Sequence, residues 1–437
     1  MSFMLLGILN SQAAGGGISY WLSTIGSDEY ETTQALARDS LDNSYLVGWY
    51  QVTSGTRDGV LIKRDPEGAV LWQRNLDGTE GDQFYGVDTD SSDNVYITGF
   101  SGDGVLRRIV LIKYNSSGTL QWQKLLGNTS SGQNGRAVAI TSSDDIYVTG
   151  DVFGVSSTLL LLAKYNSSGT LQWQRTLGYD DANSVGHSVA FDSSGNVYVA
   201  GQTGFATAGG EDILVAKYNS SGTLQWQRIL GSSANQIAYG IATDAAGNSY
   251  VTGYASLATF EIFIAKYNSS GTLQWQRTFG GSDFEFGFGV ALDSLENVYV
   301  ATDVRSSPLG GRNAGLMKYD SSGTLQWQRE IRGSGTDVGK AVTIDSLDNI
   351  YFAGETNSTG EGSYDFMLCK LPSDGSKTGT YTLDAISIIY EASSLTSSTS
   401  TMTDAASTLS EATSSFSATT ASLTSSAASL VSHIVIL

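Results

Sequence analysis

The sequence predicts an all-β fold: a seven-bladed β-propeller of four-stranded antiparallel blades, followed by a Ser/Thr/Ala-rich heptad tail expected to be helical. Three observations predict it. Trp21, Trp72, Trp122, Trp173, Trp226, Trp275 and Trp327 recur every 49–53 residues, and a period near 50 suits one propeller blade. A second motif, as in "VDTDSSDNVYITG" and "VAFDSSGNVYVAG", keeps the same beat seven times, with tyrosines at Tyr45, Tyr96, Tyr147, Tyr198, Tyr250, Tyr299 and Tyr351. Between these landmarks, apolar and polar residues alternate with the period of two that marks strands.

Taken in order, residues 1–18 hold a short apolar run ending in "AAGGG". No basic residue precedes the run, so it reads as a docking segment and glycine hinge rather than a signal peptide. Residues 19–379 hold the propeller. The fourth unit shows the plan: "HSVAF", "NVYVAG", "DILVAKYN" and "TLQWQRIL" are four strands. The first and last pairs are joined by "DSSGN" and "NSSG", turns that end on a residue in the left-handed region. That residue is Asp42, Asp93, Asp144, Gly195, Gly247, Glu296 or Asp348 in the first hairpin, with Glu296 the least comfortable. In the second it is Gly118, Gly169, Gly222, Gly271 or Gly323. The tryptophan on the outermost strand is a wedge against the next blade, and the turn sets its register. "ISYWLST" carries Trp21 without three strands before it, while the last unit lacks a tryptophan in its fourth strand. The first strand is therefore expected to complete the last blade, with "GTYTLD" as the alternative.

Residues 380–437 form a stalk in this reading. Leu395, Met402, Leu409, Phe416, Leu423 and Leu430 are seven apart. An odd spacing throws alternate members of a strand to opposite faces, whereas a coiled helix keeps them on one seam. Ser and Thr form helices indifferently, so the seam is expected to need partners, and a homo-oligomer through the tail follows.

These units resemble the SBBP repeats of bacterial seven-bladed propellers, which pair a "D-x-x-G-N-V-Y-V-T-G" hairpin with an "A-K-[YL]-[DN]-x-x-G-x-L-x-W" hairpin. The resemblance implies the fold more than an activity. Ala163, Gly169 and Trp173 are also spaced as in the tryptophan-docking repeats of quinoprotein dehydrogenases, though seven units stand here against the eight of those enzymes. The short start and Ser/Thr-rich end look like structural proteins of tailed bacteriophages, which implies a virion, or otherwise a bacterial cell surface or secreted setting.

A net charge of −19 repels nucleic acid and anionic membranes and attracts cations. No stretch has the roughly 20 apolar residues that span a membrane as a helix. Cys369, a lone cysteine in "DFMLCKL", reads as a buried apolar residue. His187 and His433 have no companion at metal spacing, and no nucleophile elbow, phosphate loop or zinc motif occurs. No cofactor or metal site is expected, although Ca²⁺ at the "D-x-x-G-N" turns is a possibility set beside their ordinary turn role.

The kept hairpins open onto one side of the ring and the variable connections onto the other, where binding surfaces reside. Candidate ligand residues there are Asp82, Tyr85, Tyr179, Asp180, Asp283, Phe284 and Glu285, aromatics beside carboxylates that suit stacking on sugars. The resulting expectation is a non-enzymatic virion or surface protein that binds a host glycan or a neighbouring virion protein through this face. The alternatives are a purely structural connector and a propeller polysaccharide lyase or hydrolase.

Overall fold

The computed structural model describes residues 18–436 apart from 53–54, 78–80, 103–106, 128–131, 154–155, 179–181, 205–209, 258, 306–310, 359–362, 384–385 and the stretches 393–395, 400–402, 407–409, 414–416, 421–423 and 427–430. The chain opens with β1 (Trp21–Gly26). The first blade follows as β2 (Glu31–Arg38), β3 (Ser44–Gln51), β4 (Arg57–Arg64) and β5 (Val70–Asp77), paired antiparallel in that order from the axis outward. Five further units repeat this meander. The seventh has three strands, Asp337–Ile344, Ile350–Thr356 and Asp365–Leu371, and β1 is its fourth: Trp21 pairs with Lys370 and Ile25 with Phe366. The first strand thus completes the last blade, as expected. "GTYTLD" does not. Gly379–Leu383 instead forms a hairpin with Ile386–Ala392 on the outer edge of blade six.

The motif "AKYNSSGTLQWQR" is a joint between blades. In blade four the third strand supplies Lys217 and the fourth Trp226 and Arg228. All three reach the turn of blade five: Lys217 Nζ and Trp226 Nε1 donate to the Ser269 carbonyl at 3.2 and 3.1 Å, and Arg228 Nε donates to the Gly271 carbonyl at 2.7 Å. The same triple joins blade five to six and has counterparts at other joints. Gly271, at φ +78°, lies flat on the Trp226 ring, where a side chain would collide.

The first hairpin is held by its aspartate. Asp192 Oδ1 accepts from the backbone of Ser194 and Asn196, and Oδ2 accepts from Asn196 Nδ2 and the Tyr198 hydroxyl at 2.8 and 3.0 Å. This carboxylate is the organiser of a turn. Glu296 does take a left-handed conformation, with φ 61°. Cys369 is fully buried, and burial pushes its thiol pKa up. The apolar clusters each span two adjacent blades, so stacking closes the core around the ring.

The expected helical stalk is corrected by the backbone of the C-terminal segment. Its described residues are strands, each added antiparallel to the outer strand of a blade: Thr396–Thr399 on blade five, Thr403–Ala406 on four, Ser410–Thr413 on three, Ser417–Thr420 on two, Thr424–Ser426 on one and Val431–Ile436 on β1 of blade seven. The seam residues Leu395, Met402, Leu409, Phe416, Leu423 and Leu430 lie outside the described residues. The spacing argument went astray because it assumed one continuous strand, whereas the described strands start seven residues apart, each on a different blade.

Candidate functional site

The innermost strands, β2 and its counterparts Asp82–Thr89, Asn134–Ile140, Ser184–Phe191, Gln236–Thr243, Phe286–Leu292 and Asp337–Ile344, surround the axis. Each carries a β-bulge at the same place. The residue extruded by the register shift is Gln34, Tyr85, Arg136, His187, Tyr239, Phe288 (with Gly289) or Lys340. A bulge re-aims a side chain out of the ladder. The next residue is small in every blade: Ala35, Gly86, Ala137, Ser188, Gly240, Gly289 and Ala341. Close approach of neighbouring inner strands requires it, since a Cβ on Gly86 would stand 2.8 Å from Ala137 Cα and one on Gly289 2.9 Å from Ala341 Cα. The small residues make a neck, and the seven extruded residues stand above it.

All seven are partly exposed, and from His187 to Lys340 each touches the next around the axis. His187 and Tyr239 meet edge to face with centroids 5.2 Å apart, Tyr239 and Phe288 lie 5.3 Å apart, and Lys340 Nζ sits 4.1 Å from the Phe288 centroid. Arg136 is close enough to act electrostatically on Tyr85, His187 and Tyr239, and its Nε donates to Asp151 at 2.6 Å.

An aromatic path leads in from the rim. Phe284, 43% exposed, packs on Phe260 at 4.8 Å, Phe260 on Tyr254 at 5.1 Å, and Tyr254 reaches Phe286 at 5.2 Å and Tyr239 at 6.0 Å. Cations border this upper face: Arg57 over Trp49, Arg107 over Phe100 and Arg305 over Phe286, at 4.1, 4.5 and 5.5 Å from the ring centroids. Positive charge is scarce in this chain, and many of its other lysines and arginines are consumed at the blade joints.

Burial, aided by Arg136, lowers the His187 pKa to about 3, so the imidazole is neutral at physiological pH. Its Nε2 lies 2.9 Å from Gln202 Oε1. With that oxygen as acceptor, Nε2 carries the hydrogen and Nδ1 keeps its lone pair. Burial raises the pKa of Tyr239, which keeps its phenolic proton. Burial also lowers the pKa of Lys340, against the pull of Glu355 and Asp303. The arrangement therefore offers aromatic faces, cationic groups for an anion, and a neutral proton acceptor beside a protonated phenol.

Among the sequence-predicted ligand residues, Tyr85 belongs to the ring, its hydroxyl donating to Gln83 Oε1 at 2.6 Å. Phe284 begins the aromatic path, and exposed Asp283 caps the Phe284 amide at 2.8 Å. Asp82 and Glu285 are fully buried at the head of blades two and six. Glu285 holds its own loop by accepting from the Gly281 amide at 3.3 Å. Tyr179 and Asp180 lie outside the described residues. Sequence reasoning missed Arg136, Tyr239, Phe288 and Lys340, and weighed His187 only as a metal ligand without a companion. The signal was present: five residues before the hairpin aspartate, or Thr141 in its place, stands a column of seven residues of five different chemistries, always followed by a small one.

Residues 172–205, 225–256 and 326–360 match the SBBP beta-propeller repeat, and 193–224 match a beta-propeller domain of unknown function. An uncharacterised WD repeat-containing protein of Acanthamoeba polyphaga mimivirus is 22% identical over 241 residues, 39% of this chain; the matched part is 17% of that relative's length. Among solved structures, the polysaccharide lyase Uly1 superposes with a TM-score of 0.51 at 9% identity over 80% of this chain and 90% of its own. An ulvan lyase bound to -[GlcA(1-4)Rha3S]- gives 0.50 at 9% identity, covering 80% and 96%. At this identity the likeness is one of fold. It nevertheless corrects the non-enzymatic expectation, because that rested on finding no catalytic motif, and this propeller architecture is one that polysaccharide lyases use.

Proposed function

We propose that the upper mouth of the axial channel binds an acidic polysaccharide and cleaves it by β-elimination. The observation that carries the reading is the convergence of Arg136, His187, Tyr239 and Lys340 at the extruded positions of the inner strands, in a chain of net charge −19. A uronate chain would lie along the aromatic path from Phe284, its sugar faces against the rings. Arg136 and Lys340 would pair with the carboxylate and make the proton on the adjacent C5 more acidic. His187 Nδ1 takes that proton, and the C5–H electrons form the C4=C5 double bond. The C4–O4 bond breaks toward oxygen, which receives the Tyr239 phenolic proton. Solvent then returns one proton to Tyr239 and removes one from His187. No water is added across the bond, and no oxidant or reductant is consumed.

The ulvan lyase with its glucuronate and sulfated rhamnose supports the substrate class at the level of fold, because the cations bordering this face suit sulfate as well as carboxylate. A virion or cell surface is the setting in which such a chain would meet host polysaccharide, with neighbouring surface proteins as its partners. The test is incubation of the full chain with a panel of uronate polysaccharides, followed by ultraviolet absorbance of the unsaturated uronate. A rise with the wild type, abolished in His187→Gln and Tyr239→Phe while both still bind, is expected. Binding without absorbance overturns the elimination step, and absence of binding overturns the site.

A further inference from the structure

We infer that the outer rim of the propeller is a strand-acceptor track with a pitch of seven residues, and that the C-terminal segment is the clamp that fills it. The successive strands begin at Thr396, Thr403, Ser410, Ser417, Thr424 and Val431, seven apart without exception. They visit blades five, four, three, two, one and seven in turn, after Ile386–Ala392 has paired with blade six. The segment therefore runs once round the ring, against the direction of the propeller chain, and meets every outer strand. Seven residues of extended chain span roughly 23 Å at ~3.3 Å each, and each repeat carries the segment from one outer strand to the next. The apolar residues Leu395, Met402, Leu409, Phe416, Leu423 and Leu430 each directly precede the first residue of a strand. The sequence heptad and the blade-to-blade step are the same period.

This also accounts for the composition. Strand addition is made by backbone groups, so a track of outer edges accepts small Ser, Thr and Ala residues at every blade. Without an occupant, each outer strand would present an open row of donors and acceptors, which favours edge-to-edge association. The two ends of the clamp bracket the ring's own closure. Its start is held on blade six by the Gly379–Leu383 hairpin and by Arg332 Nε, 2.6 Å from Glu391. Its end pairs with β1 from Trp21↔Ile436 to Gly26↔Val431, on the side away from Asp365–Leu371. The closing strand is thereby paired on both sides.

The pitch can be tested in full-length protein by removing residues 403–409, one repeat, or residues 403–405, less than half of one. The readout is amide hydrogen exchange of the outer strands by mass spectrometry. A seven-residue deletion keeps later strands in phase but one blade short, so protection falls only at β1, by about tenfold or more. A three-residue deletion removes most of the strand on blade four and puts every later strand out of phase, so protection falls on blades four, three, two, one and seven while blades five and six keep theirs. Ala405→Pro, which faces Ile229, is the milder variant and should expose blade four alone. Equal protection in wild type and the three-residue deletion would overturn the track. Protection that disappears on dilution would overturn the clamp as an element of its own chain and show pairing between copies.

Discussion

Replacing Gly271 by alanine tests how far the blade joint depends on a glycine lying under a tryptophan. Gly271 has φ +78°, and a Cβ there would stand 2.6 Å from Trp226 Cδ2 and 3.0 Å from Cε2 and Cε3. Two costs follow. The left-handed conformation costs a non-glycine residue about 1 kcal/mol. Forcing the indole aside is overpacking, worth about 1–3 kcal/mol, and it disturbs the bonds from Trp226 and Lys217 to the Ser269 carbonyl. Gly195 provides the control: its φ is +76° in an equivalent turn, and nothing lies within 4 Å of the added Cβ. Gly195→Ala should therefore lose about 1 kcal/mol and Gly271→Ala about 2–4 kcal/mol. The assay is equilibrium urea unfolding with the slope checked for each variant. Trp226→Leu in the Gly271→Ala background should recover part of the loss, because the two changes share one contact. Equal losses at Gly195 and Gly271 would refute the joint as described.

At the channel mouth, Arg136→Gln and Lys340→Gln should each weaken acidic-polysaccharide binding by about 10- to 100-fold, from ~1.5–3 kcal/mol per charge-assisted contact, measured by calorimetry at low salt. Phe284→Ala should weaken it by about 3- to 10-fold, from ~0.5–1.5 kcal/mol per aromatic contact, and leave turnover of the bound chain unchanged. Burial raises the Glu31 pKa to about 7; the folded protein then holds this proton more tightly than the unfolded chain. The resulting stability is full below about pH 4.5 and lost as pH rises through about 7. Glu31→Gln should accordingly gain stability relative to wild type between those pH values, read from urea midpoints. His187 has the opposite sign: its contribution is full above about pH 6.5 and lost as pH falls toward 3. His187→Gln should flatten that acid limb, whereas an unchanged limb would contradict the neutral imidazole.

The joint was legible because every unit carries all of its parts: the lysine, the turn glycine and the tryptophan recur together, so each repeat displays both halves of the contact it makes with its neighbours. Trp21 standing without preceding strands likewise revealed the closing strand. The channel ring was harder to read. Each unit contributes one side chain to it, and the chemistry appears only when seven units close and bring His187 against Tyr239. The column was visible, but its meaning depended on the bulge and on the small residue after it. The tail was misread for a different reason. Seven is the coiled-coil period, and only a ring of evenly spaced strand edges makes the same number a step along a track. Asp82 and Glu285 were taken for ligands because acidic loop residues look exposed in sequence, whereas both are fully buried.

The measurement closest to the central claim is a binding isotherm of a uronate oligosaccharide with wild type, Arg136→Gln and Lys340→Gln at low and physiological salt. Saturable binding to wild type that weakens with salt, and falls by tenfold or more in both variants, is the predicted result. Binding that ignores Arg136 and Lys340, or none to any acidic saccharide, would contradict the assignment of the channel mouth.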